Sequence, residues 1–175
     1  MKLYFAYGAN LNIANMRLRC PDSVTIQPFH LQGYRLAFSS VATILQDEHS
    51  QVPGALWAIS DQDEIALDQF EGYPTLYRKQ ILEQEGLEFM VYVMNAIQPW
   101  EPSAGYLETI KHGYQDWGLS HEDLDLAVQR TLWEMEYDMQ WSPGRGTGLV
   151  TDMEQLVPSE SGHDLRWLRD HRYVH

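Results

Sequence analysis

Basic residues are scarce in this chain. Twelve Lys and Arg stand against 25 Asp and Glu, a formal net charge of −13 over 175 residues. A surface this acidic repels phosphate backbones and anionic bilayers, so neither nucleic acid nor a membrane is an expected partner. A small anionic substrate stays open, because the field inside a site is set by its own neighbours. Cysteine is nearly absent as well. Cys20 stands alone, so no internal disulfide is possible. It precedes Pro21 at an expected helix end and reads as structural rather than catalytic. No apolar run reaches the roughly 18 residues of a membrane span. Met1-Lys2 leads straight into a strand-like segment, without the charged and apolar regions of a signal peptide. The expectation is a cytoplasmic protein of one domain with a tail.

What is present begins with Leu3 to Tyr7, a short apolar and aromatic strand. It runs through Gly8 into a helix over residues 13–18, which Asn10 or Asn12 can cap. Gly8 permits a backbone angle that other residues resist, or lets a neighbour approach the main chain closely. A strand–Gly–helix turn can aim backbone N–H groups at a carboxylate or phosphate, although most such turns are only connections. Strand-like pieces follow at residues 30–38 and 41–45, then a polar loop over 46–51. Pro53 limits residues 52–59 to an edge or to the start of a strand. Ser60 with Asp63 opens a helix that stops at Gly72. Residues 77–83 and 87–96 read as an antiparallel hairpin turning at Glu85-Gly86. Ser103 caps a helix to Trp117, and Ser120 with Asp123 opens another through Leu132. Strands first and helices later point to an α+β fold with a small mixed or antiparallel, barrel-like sheet.

Glu71 is the candidate for chemistry. Leu67 lies one turn before it, so both share a face that must meet the core. A carboxylate held there loses hydration, and it sits at the negative end of a helix, so its proton affinity rises. A carboxylate tuned towards neutral pH is a useful general base. On local pattern alone, with 25 acids in the chain, a solvated helix-end acid is the commoner outcome. Other constellations carry less. His163, His171 and His175, with Asp164 and Asp170 among them, match no standard zinc spacing, so no metal is expected. Gly144-Arg145-Gly146-Thr147-Gly148 lacks the Lys-Ser/Thr of a phosphate-binding loop and reads as a flexible loop or lid. Ser39-Ser40 has no nucleophile-elbow pattern. The six tryptophans read as core or interface.

Three segments together resemble the γ-glutamylcyclotransferase family. Tyr4-Phe5-Ala6-Tyr7-Gly8-Ala9-Asn10-Leu11 is similar to the family's Tyr-Phe-Ala-Tyr-Gly-Ser-Asn-(Leu/Met). Ala42-Thr43-Ile44, Val52-Pro53-Gly54-Ala55-Leu56-Trp57 and Ala66-Leu67-Asp68-Gln69-Phe70-Glu71-Gly72 look like its strand and its helix ending in Leu-Asp-x-x-Glu-Gly. Tyr92-Val93-Met94, Pro102-Ser103-Ala104-Gly105-Tyr106-Leu107 and residues 113–119 look like its Pro-Ser-x-x-Tyr helix. The match covers about residues 2–130. The resemblance implies a domain over 1–132 with one cavity, and leaves 133–175 as a C-terminal extension packed on the domain or on a partner.

It also implies a small γ-glutamyl substrate, cyclised to 5-oxoproline with release of an amine or amino acid, and no cofactor. Carried over by position, Glu71 is the general acid/base. Tyr7, Gly8, Ala9, Asn10 and Tyr106 bind substrate, while Tyr77 and Tyr92 line the cavity. Ala9 replaces the family's usual Ser, removing a hydroxyl. That departure and the unmatched tail leave a second reading open, a small-ligand or protein-binding module with weak or lost turnover. A homodimer is compatible with the tryptophan-rich tail.

Overall fold

The computed structural model describes residues 1–141. Its elements are β1 (Lys2–Ala6), α1 (Ile13–Arg19), β2 (Val24–Ser39), β3 (Val41–Ile59), α2 (Asp61–Glu71), β4 (Tyr77–Gln84), β5 (Leu87–Met94), α3 (Ala104–Trp117) and α4 (His121–Trp141). The five strands form one mixed sheet in the order β2-β3-β1-β5-β4. β1 lies at its centre, antiparallel to β3 and parallel to β5. A central strand is covered on both faces, which explains why Tyr4, Phe5 and Ala6 are all buried. Phe5 packs with Phe29 and Phe89 on one face. Tyr4 lies opposite Trp57 in the register, and Trp57 meets Trp117 of α3 edge to face.

The expected α+β class holds, but the sheet is not closed into a barrel. No backbone ladder joins its edges, β2 and β4. One side chain bridges them instead. The Gln84 amide donates to the His30 carbonyl at 2.9 Å, and its oxygen accepts from the Gln32 N–H at 2.8 Å. Those bonds occupy edge groups that would otherwise be free to pair with another chain.

Residues 46–51 are not a loop. β3 runs unbroken from Val41 to Ile59 alongside β2. The register jumps from Gln32↔Gln51 to Tyr34↔Gln46, so residues 47–50 bulge opposite Gly33, whose φ is +77°. The bulge carries its own polar network. The Asp47 carboxylate accepts from the His49 N–H and the Ser50 hydroxyl and pairs with Arg130 of α4. Its composition therefore resembles a loop while the ladder on either side keeps it in the strand. Pro53 does not confine residues 52–59 to an edge or a strand start, since they continue β3 between β2 and β1, but its own position is one-sided. The β1 register ends at Ala6↔Ala55, so Pro53 faces only one neighbouring strand.

Local signals place the remaining elements. Asn12 caps α1 by accepting from the Asn15 N–H. Ser60 and Asp63 form a reciprocal capping box on α2, at 3.1 and 3.0 Å. Glu85 and Gly86, with φ of +56° and +74°, make the two-residue turn between β4 and β5. α4 continues through the expected boundary at 132/133. The glycine-rich run at 144–148, the histidines at 163, 171 and 175, and the rest of the expected extension lie outside the described residues.

Candidate functional site

The end of the central strand builds the first wall. β1 runs into Tyr7 and Gly8, and a short 3-10 turn over Ala9–Leu11 follows. Gly8 is required for space rather than for a left-handed backbone, since its φ is −120°. A Cβ there would sit 3.1 Å from the Ala42 Cβ and 3.2 Å from the Tyr106 hydroxyl. That hydroxyl accepts from the Ala42 N–H at 3.0 Å. Tyr106 reaches the turn because Ser103 caps α3 by accepting from the Tyr106 N–H, which puts Tyr106 in the first turn of the helix. Two N–H groups of the turn are spent internally. Leu11 and Asn12 donate to the Gly8 and Ala9 carbonyls at 3.0 and 3.2 Å.

Glu71 builds the second wall. It is the last residue of α2, one turn after the fully buried Leu67, and Gly72 stops the helix there with φ +61°. The residue is partly exposed overall, but its carboxyl turns inward. Burial raises the Glu71 pKa from an ordinary 4.5 to about 7; Arg19 and the Asn10 side chain pull the other way. Asn10 Nδ2 donates to Glu71 Oε1 at 2.8 Å and to the Tyr4 hydroxyl at 2.9 Å, while Asn10 Oδ1 accepts from Arg19. The Arg19 guanidinium lies over the Phe70 ring, 3.3 Å from its centroid.

Between these walls lies a small, open-mouthed cavity. The structure brings every residue singled out in the sequence to it: Tyr7, Gly8, Ala9, Asn10, Glu71, Tyr77, Tyr92 and Tyr106. Tyr4, Ala42 and Phe70 line it as well. Its five tyrosines divide by hydrogen-bond sense. Tyr7 donates to the Tyr92 carbonyl at 2.7 Å, Tyr77 to the Ala42 carbonyl at 2.6 Å and Tyr92 to Asp68 at 2.6 Å. Those three present only oxygen lone pairs and ring faces to a ligand. Tyr4 and Tyr106 accept bonds at oxygen, so each keeps a proton to give. Burial pushes all five phenols up, Tyr106 to about 12, so all stay neutral at pH 7.

Asn10 differs from the reading carried over by position. Its amide is committed to Glu71, Tyr4 and Arg19 rather than left open to a ligand. Arg19, Tyr4 and Asp68 were not marked by the sequence. Tyr4 and Asp68 stand there only within the segments that resemble the family, with no site role, and Arg19 is not singled out. Among the described residues, no group of three His, Cys, Asp or Glu could hold a metal. Nor is any helix among them long and apolar enough to cross a membrane.

Comparison with known proteins covers the same stretch. The family model "Gamma-glutamyl cyclotransferase, AIG2-like" matches residues 4–118. The mouse gamma-glutamylcyclotransferase is 29% identical over 138 residues, spanning 69% of this chain and 73% of its own. The bovine gamma-glutamylcyclotransferase is 30% identical with the same coverage. A solved structure of a gamma-glutamyl cyclotransferase superposes with a TM-score of 0.62 at 27% identity, covering 87% of this chain and 94% of that one.

Proposed function

The chain belongs to the gamma-glutamyl cyclotransferase, AIG2-like family, and from that premise we propose that it cyclises a γ-glutamyl amine or amino acid to 5-oxoproline, with Glu71 as general acid/base. One observation carries this reading. Among the described residues, Glu71 is the only ionisable group lining the cavity with a pKa near neutrality, at about 7. A group so poised takes up and returns protons at physiological pH.

The substrate's α-amine is the nucleophile, so no Ser or Cys is needed. It arrives as an ammonium, and the Glu71 carboxylate removes one proton. The amine nitrogen then bonds to the γ-carbonyl carbon, closing a five-membered ring. The bond from that carbon to the leaving nitrogen breaks as Glu71 returns its proton to that nitrogen, and the ring nitrogen sheds its second proton to Glu71, which passes it on so that the amine leaves as an ammonium. Atoms and charge balance without a cofactor. The reaction is intramolecular, so holding the chain folded supplies much of the acceleration. The tyrosine set suits this charge pattern. The lone pairs and ring faces of Tyr7, Tyr77 and Tyr92 suit the ammonium. The free protons of Tyr4 and Tyr106 suit the carbonyl or carboxylate oxygens. The Gly8 and Asn10 N–H groups of the turn supply a further place for the α-carboxylate, the Ala9 backbone being engaged by the Tyr106 hydroxyl. On this reading Asn10 acts on substrate through its backbone and on Glu71 through its side chain.

The test is 5-oxoproline release from a panel of γ-glutamyl amino acids and amines, wild type beside Glu71→Gln. Turnover lost in the variant supports the reading, and retained turnover removes Glu71 from the role. Ala9 favours the second reading, a binding module of low turnover. Restoring the hydroxyl with Ala9→Ser is expected to raise kcat/KM by about twofold to tenfold, the worth of one neutral hydrogen bond. A folded wild type that releases no 5-oxoproline from any substrate, and stays inactive as Ala9→Ser, sinks the enzymatic reading.

A further inference from the structure

Glu71 is held by a chain of contacts that begins outside the cavity, on α1. Asn10 is 2% exposed, and its side chain is saturated by protein groups. Nδ2 serves Glu71 and Tyr4, and Oδ1 serves Arg19. An amide can rotate end for end, and its two ends have opposite hydrogen-bond sense. With Oδ1 turned towards Glu71, two acceptors would meet and the carboxylate would be driven from its place. The guanidinium forbids that orientation. It has five N–H donors and no acceptor, and it stays charged, so only Oδ1 can face it. Arg19 is in turn anchored on Phe70, the residue before Glu71. The contacts thus close a ring from the end of α1 to the end of α2.

The charged and titratable groups that share the cavity with Glu71 or face it come from every element around it. They are the phenols of Tyr4 and Tyr7 on β1 and its turn, Tyr77 on β4, Tyr92 on β5 and Tyr106 on α3, and the Arg19 guanidinium on α1. The five phenols are neutral at pH 7, so of these six only Arg19 carries charge.

We propose that Arg19 is a positioning residue for Glu71: through the Asn10 amide it fixes which atom faces the carboxylate and keeps that carboxylate aimed into the cavity. The role in turnover rests on the function proposed above. The contact itself does not.

The test uses the full chain with 13C-labelled glutamate δ-carboxyls. The signal missing from Glu71→Gln identifies Glu71, which in the wild type titrates at about 7. Arg19→Gln is expected to move that midpoint up by about one unit. At pH 7, kcat/KM for 5-oxoproline release then falls about fivefold, because a base half ionised at its pKa is about one-tenth ionised one unit below it. Raising the pH restores the rate. Arg19→Lys keeps the charge and a donor, and returns the midpoint towards that of the wild type. A merely structural Arg19 would lower stability and leave the Glu71 midpoint in place. A folded Arg19→Gln with an unmoved Glu71 midpoint overturns the proposal. If Arg19→Gln does not fold, Arg19→Met, which keeps the apolar stem and removes the charge and donors, is read in its place. A raised midpoint supports the proposal and an unmoved one overturns it. A wild type that makes no 5-oxoproline sinks the enzymatic reading alone, and the carboxyl titration still decides the contact.

Discussion

α2 carries two glutamates two turns apart that meet opposite surroundings. Glu64, in the first turn, faces the ammonium groups of Lys2 and Lys79. Burial raises its pKa, but the hydrogen bonds from the two lysines outweigh that, and the net shift is downward. Glu71, in the last turn, faces phenols, an amide and, beyond that amide, a guanidinium whose charge lowers its pKa without offsetting burial. Burial wins there, and the pKa rises to about 7. The same side chain on the same helix becomes a permanent anion at one end and a proton carrier at the other. What differs is whether a cation reaches the carboxylate directly. Lys79 does so for Glu64, held also by Asp68 and lying over the Tyr73 ring. Arg19 is kept one residue away from Glu71 by Asn10.

Breaking the Glu71 end has the larger consequence. Glu71→Gln is expected to reduce 5-oxoproline release by about 10²- to 10⁴-fold, the usual range for a general acid/base. Glu64→Gln should leave the rate within about twofold in the same assay. Equal losses in the two variants would end the contrast.

Stability should separate the two ends next, with opposite sign. The Glu71 pKa is higher folded than unfolded, so the folded state binds its proton more tightly. Stability then falls as pH rises from about 4.5 to about 7, and is level above. At pH 8, Glu71→Gln is therefore expected to be more stable than wild type by about 1–3 kcal/mol, the upper figure being the full shift at about 1.4 kcal/mol per unit. At pH 4.5 the gain should vanish. Denaturant titrations of both proteins at both pH values measure it, and an equal difference at the two would refute the buried-carboxylate account.

The smallest effect belongs to the other end of the helix. The Glu64 pKa is lowered on folding, so its contribution is present above the unfolded pKa and is lost as pH falls through the folded one. Glu64→Gln is expected to destabilise by about 0.5–1 kcal/mol at pH 7, since Lys2 is largely exposed. The loss should shrink in high salt. A stabilising Glu64→Gln would mean that desolvation dominates at both ends.

The elements that the sequence shows clearly are those closed by short-range bonds. The Ser60–Asp63 box, the Gly72 stop, the Glu85-Gly86 turn and the Ser103 cap each span no more than a few residues. Each has one favourable chemistry, so reading the residues locates the structure. The polar bulge at 47–50 escapes such a reading because its place in β3 is set by the ladder to β2. So does the reason for Gly8, which makes room for Ala42 and Tyr106, both more than 30 residues away in the chain. The cavity tyrosines were legible only through the family's motifs, since an inward tyrosine and a core tyrosine look alike in a strand or helix pattern. Asn10 was legible as a motif residue, but its partners were not.

By itself, the sequence determined where helices begin and where those stopped by a glycine end, that strands dominate the first hundred residues, and that one short turn off the first strand matters. Those properties follow from capping, turn geometry and periodicity, which act over a few residues. Only the tertiary structure decided which of 25 acids is desolvated and which is ion-paired. The cavity around Glu71 is lined by residues 4, 7, 10, 77, 92 and 106, carried by separate strands, a turn and a helix. No local pattern contains that lining. It exists only once the sheet has brought those elements together around Glu71.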